Sequence, residues 1–184
     1  VKATALALAA DGGLVSIAGT VDTSGISGGA VSLYGAKGVE LASTALIDAH
    51  ADGYPTTDSR VSAGGDVVLG TDGSGHVSVA DGARIDVSAK RTDARLVQVV
   101  TNGKTFYRLA EGDEGGTLTV RAPIVTNDAG AATVDVDFAG SVTGASSIVL
   151  EGFRHYDLGA IAADPTFTGV TITDGTAVLD TGAS

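Results

Sequence analysis

Apolar and polar residues alternate along most of this chain, but only in short runs. Leu6-Ala7-Leu8, Val15-Ser16-Ile17, Val31-Ser32-Leu33, Val39-Glu40-Leu41 and Val77-Ser78-Val79 are typical, and Gly, Asp, Ser and Thr lie between them. Alternation at period two marks a strand with one buried face. Strands of about three residues bury too little to stand alone, so they must stack on copies of themselves.

The runs do recur. Gly28-Gly29, Gly64-Gly65 and Gly115-Gly116 each lead into an alternating strand: Val31-Ser32-Leu33, Val67-Val68-Leu69 and Leu118-Thr119-Val120. Val39-Glu40-Leu41 followed by Ile47-Asp48 reappears as Val77-Ser78-Val79 followed by Ile85-Asp86, at an offset of 38 residues. Between the first two copies, near Leu6, Val15 and Val21 and near Val31, Val39 and Ile47, the offsets are 25, 24 and 26 residues. One repeat therefore carries three strands. The pattern predicts an all-β fold, a parallel β-helix with three faces, in which Val, Ile and Leu point inward and Ser, Thr and Asp outward.

Two segments interrupt the period. Residues 52–63 are polar and contain Pro55, which predicts a protruding loop. Residues 90–112 hold two longer β-prone runs around Asn102-Gly103, a strong turn signal, and predict an antiparallel hairpin projecting from the coil. The remainder makes about six coils at roughly 25 residues each. Strand character continues at Val134–Phe138, Ile148–Leu150, Val170–Ile172 and Ala177–Leu179. Residues 1–184 read as a single segment without a capping element at either end, as expected of a piece of a longer solenoid.

Composition sharpens this picture. There are 27 Gly, no Cys, Met or Trp, and aromatics make up 4%. A narrow interior filled by Val, Ile, Leu and Ala suits that usage, and no disulfide can contribute. A net charge of −11 argues against a nucleic-acid partner. No apolar run is long enough to span a membrane, and residues 1–10 do not read as a signal peptide.

The stretch Val77 to Ser88, VSVADGARIDVS, together with the Gly-Gly-x-Val-x-Leu pattern, resembles the repeats of the filamentous haemagglutinin family of secreted exoproteins. GGTLTVRAP at Gly115 to Pro123 and AGSVTGASSIVLEGFRHYDL at Ala139 to Leu158 are similar to a segment that recurs in its large members. The resemblance covers about residues 10 to 160. It implies a right-handed parallel β-helix in a long passenger, exported by two-partner secretion through an outer-membrane transporter. Such a passenger is displayed at the bacterial cell surface and used for adhesion to a host or bacterial surface glycan or protein. The family's N-terminal secretion motif is not found, so this segment reads as stalk. The crossover rule for parallel strands also favours the right hand.

Several residue groups invite a chemical reading. Asp22, Asp48 and Asp86 occupy equivalent repeat positions, where carboxylates suit calcium or simply face water. Asp135 and Asp137 alternate on one strand, as acid–base carboxylates in a polysaccharide-cleaving domain would. Arg154-His155-Tyr156-Asp157 holds a His–Asp pair, but no nucleophile motif accompanies it, and His50 and His76 lack metal-ligand spacing. No cofactor is expected. The basic and aromatic hairpin is the candidate interaction surface: Lys90, Arg91, Arg95, Lys104 and Arg108 with Phe106 and Tyr107. The sequence thus reads as a structural or adhesive stalk segment rather than an enzyme. The alternative is a β-helical carbohydrate-binding or polysaccharide-cleaving domain, and a groove lined by carboxylates and aromatics would favour it.

Overall fold

The computed structural model describes residues 1–154 and the backbone of strands at 170–173 and 176–179. Its described elements are all β. Two units are formed, Val1–Phe153 and Arg154–Ser184. In the second, Val170–Thr173 pairs antiparallel with Thr176–Leu179.

The first unit is built on three parallel sheets that the chain visits in rotation. β1 (Ala5–Ala10), β2 (Leu14–Ile17) and β3 (Thr20–Asp22) open sheets one, two and three. β4 (Ala30–Gly35), β5 (Gly38–Leu41) and β6 (Leu46–Asp48) pair onto them in the same order. β7 (Asp66–Gly70), β8 (His76–Val79) and β9 (Arg84–Asp86) form the third layer. After a hairpin of β10 (Arg95–Thr101) and β11 (Lys104–Ala110), the chain returns as β12 (Thr117–Thr126). β13 (Ala132–Val134) folds back antiparallel on β12, and β14 (Val136–Phe138) and β15 (Ser141–Thr143) complete the fourth layer. β16 (Ser147–Phe153) adds a fifth strand to sheet one. Sheet one thus has five parallel layers and the others four among the described residues, against the roughly six coils expected from length.

The repeats set the register. Val31 pairs with Val67 and Leu33 with Leu69 in sheet one, Leu41 with Val79 in sheet two, and Ile47 with Ile85 in sheet three. Each of these side chains is 0–1% exposed. Every fully buried Val, Ile or Leu contributes roughly 1.5–3 kcal/mol. A three-residue strand offers only one or two such positions, so stability resides in the columns rather than in any single strand.

The glycine pairs have a steric cause. A Cβ on Gly65 would stand 2.0 Å from the Gly29 carbonyl oxygen, and one on Gly116 would stand 2.0 Å from the Gly65 carbonyl oxygen. Gly65 N donates to Ala49 O and Gly116 N to Val87 O. The chain enters sheet one at this corner so close to the layer before that any side chain would collide with backbone.

Both expected excursions leave the stack between sheet three and sheet one. Residues 52–63 connect β6 to β7, and the hairpin connects β9 to β12. The hairpin turns at Asn102-Gly103, with φ of 52° and 72°, the positive values that a type I′ turn requires. A second hairpin, β12–β13, was not anticipated. Its turn is built by Asn127, whose Oδ1 accepts from the N–H groups of Ala129 and Ala131. It breaks the expected Val134–Phe138 strand at Asp135, whose carbonyl accepts from Val77 N as the chain enters sheet two.

Two substitutions check this arrangement. Ile85→Asp would place a charge at a fully buried position and is expected to cost several kcal/mol or abolish folding. Gly65→Ala is expected to lower the melting temperature strongly, because the clash is with backbone. Thermal unfolding followed by circular dichroism reads both, and a parent-like midpoint in either variant would contradict the register.

Candidate functional site

The aspartate ladder is present, with Asp22 paired to Asp48 and Asp48 to Asp86. Each side chain ends its strand by accepting from the N–H two residues on: Asp22 Oδ1 from Ser24 at 3.0 Å, Asp48 Oδ1 from His50 at 3.3 Å, and Asp86 Oδ1 from Ser88 at 2.9 Å. These are Asx turns, the local bonding that makes Asp a turn former. The ladder therefore builds the corner that leaves sheet three.

His50 sits among these carboxylates. Its Nδ1 lies 2.5 Å from Asp48 Oδ1 and its Nε2 3.4 Å from Asp52 Oδ1. Lys90 forms an ion pair with Asp52. Asp48, His50 and Asp86 offer three metal-ligand-type atoms within 4.8 Å of one another. The turns and the His50–Asp48 hydrogen bond account for that proximity without an ion.

The hydrogen bond to Asp48 holds His50 above its ordinary pKa, against the opposing effect of burial. Stabilisation from a raised native value is complete below the unfolded value of about 6.5 and is lost as pH rises through the native one. Asp22 behaves in the opposite sense. The hydrogen bond from Lys2, reinforced by Ser24, lowers its carboxyl to about 2. Its contribution is present above the unfolded value of about 4 and is lost as pH falls through the native value.

The seven hairpin residues do not form one surface. Lys90 is engaged by Asp52. Arg95 Nη2 donates to the carbonyls of Asp58 at 3.3 Å and Arg60 at 3.1 Å, pinning the 52–63 loop to the hairpin's root. Arg91 belongs to the same root, where its carbonyl accepts from Asp113 N, and Asp113 Oδ1 accepts from Ser62 N. In the ladder, Phe106 faces Val99, Arg108 faces Val97 and Lys104 faces Thr101 on one side. Tyr107 lies opposite Gln98 on the other side, beside the exposed pair Leu96 and Leu109. The two aromatics thus point to opposite faces.

Asp135 and Asp137 are separated by the break between β13 and β14 and do not share one strand. Of the 154–157 group, His155, Tyr156 and Asp157 lie outside the described residues. His76 begins β8 at an exposed position.

A constellation that sequence reading missed lies on the outer side of sheet one. Ala9, Tyr34, Gly70, Arg121 and Glu151 pair in succession and occupy one outward column across five layers. At about 4.8 Å per strand, the column runs about 19 Å. A groove of about 690 Å³ follows its edge, lined also by Asp11 and Asp72. Arg121 is its hub. Nε lies 3.4 Å from Asp72 Oδ1, Nη1 lies 3.4 Å from Glu151 Oε2, and the guanidinium stands 4.8 Å from the centre of the Phe153 ring. Tyr34 lies across Gly70, whose missing Cβ would stand 2.5 Å from its Cε1.

The chain matches no protein-family model, no curated protein and no solved structure.

Two solution measurements test the ladder. The His50 contribution to the parent's melting temperature is expected to be lost as pH rises above about 6.5, a fall that His50→Gln should flatten. Excess EDTA is expected to leave the parent's melting temperature unchanged. A drop on chelation would restore calcium or another divalent cation to the corner.

Proposed function

We propose that this chain is a structural and adhesive segment of a large secreted bacterial exoprotein of the filamentous haemagglutinin type. On this reading it is a stretch of right-handed parallel β-helix that carries contact elements away from the cell. The observation that carries it is the threefold rotation of strands, with each column kept in register from layer to layer. A strand that returns to its own sheet after visiting two others makes a crossover connection, and such connections are right-handed in nearly all proteins. The absence of cysteine suits export as an unfolded chain through an outer-membrane transporter. The motifs at Val77–Ser88 and Gly115–Pro123 are the ones that resemble the family.

The segment works without turnover in this proposal. Asp135 and Asp137 are divided between a corner and a strand, and Arg121 ties Asp72 and Glu151 into ion pairs. Incubation with neutral or acidic polysaccharides is expected to release no fragments. Release that Asp72→Asn or Glu151→Gln abolishes would make the chain a polysaccharide-cleaving domain instead.

Display at the surface has its own test. A short epitope inserted between Asn102 and Gly103 of the full-length protein is expected to be stained on intact, unpermeabilised cells. Staining only after lysis would refute the exoprotein reading.

A further inference from the structure

The groove beside sheet one is built from residues far apart in sequence. Tyr34, Asp72, Arg121 and Glu151 come from four successive layers, and the parallel register brings them together. Its long direction is the stacking direction. Its repeat of about 4.8 Å is close to the length of one pyranose unit in an extended chain.

The lining combines two chemistries. Tyr34 is half-buried and is given room by Gly70 in the next layer and Ala9 in the one before. An aromatic ring held this way is a platform for an apolar sugar face. Beyond it, Arg121 is oriented by Phe153 and by both of its carboxylate partners, so its donors and their acceptors are set before a ligand arrives. Pre-organised donors and acceptors beside an aromatic platform suit a polyhydroxylated ligand. Charge narrows the class further. Among the described residues the groove is lined by three carboxylates, Asp11, Asp72 and Glu151, and by the Arg121 guanidinium, and the whole chain carries −11, so an acidic glycan would be repelled.

We infer that this groove binds a linear, uncharged saccharide chain lying along the stack. Tyr34 supports one sugar ring, and Arg121, Asp72 and Glu151 bind hydroxyls of its neighbours. The inference gives the adhesive reading its ligand class and rests on that reading for where the sugar is met. It assigns recognition to the sheet-one groove instead of the basic hairpin.

Calorimetric titration of the full chain with cello-, xylo-, manno- and chito-hexaose, and with an oligogalacturonide as the acidic counterpart, tests it. At least one neutral chain is expected to bind, and the acidic chain to bind at least tenfold more weakly. Tyr34→Ala is expected to weaken binding tenfold or more, while Tyr34→Phe retains most of it. Ala9→Trp, at an exposed position that leaves the core intact, is expected to block the groove, while Tyr107→Ala on the hairpin changes nothing. Failure of every neutral chain to bind, tighter binding of the acidic chain, or binding indifferent to both Tyr34→Ala and Ala9→Trp would overturn the inference. Binding by purified protein and staining on cells are separate readouts, so either reading can fail without the other.

Discussion

A strand of three or four residues has one or two inward side chains and cannot exclude water on its own. In the Val1–Phe153 unit, each such strand is completed by those before and after it, and this vertical register is the condition on which the rest depends. The columns are almost dry in the middle layers, where Leu33, Leu69, Ile47 and Ile85 are fully buried. They open at β16, the last described strand of sheet one, where Ile148 is 63% and Leu150 57% exposed, although their partners Leu118 and Val120 are 1% and 4% exposed. Burial here is a property of a position within the stack, and the same residue type changes its contribution with its layer.

The register also explains what was legible in the sequence. Offsets of 24 to 26 and of 38 residues reappear as strand pairs, because an inward column tolerates only apolar residues. The Asn102-Gly103 turn was legible because positive φ at two consecutive positions demands such residues. The β12–β13 hairpin escaped notice because Val134-Asp135-Val136-Asp137 alternates like a single strand, although Asn127 through Gly130 carried the turn signal. The groove could not be seen along the chain. Tyr34, Asp72, Arg121 and Glu151 become neighbours only once the register is known. Conversely, Lys90 and Arg95 are near in sequence to Lys104 and Arg108, yet their side chains are engaged at the hairpin's root.

Electrostatics in this unit is mostly local. An aspartate stands at the end of each of three consecutive sheet-three strands, and each closes a turn. Lys2 offsets part of the accumulated negative charge, and His50 adds to this when its ring is protonated. Exposed pairs of this kind stabilise little individually. Their effect is to let like-charged corners repeat in the layering direction without strong repulsion.

The stacked glycine pairs have a consequence beyond sterics. Gly28-Gly29, Gly64-Gly65 and Gly115-Gly116 bring the chain back to one fixed place, whatever it has done since leaving sheet three. Before the first pair the detour is short, before the second it is the 52–63 loop, and before the third it is a full hairpin. The corner thus acts as a standard socket. New peptide can be spliced in upstream of it, lengthened or exchanged without resetting the frame of the layers that follow. Detours from consecutive layers also emerge side by side, as the grip of Arg95 on the 52–63 loop illustrates. A scaffold of this type can diversify its outer surface module by module while its interior stays unchanged.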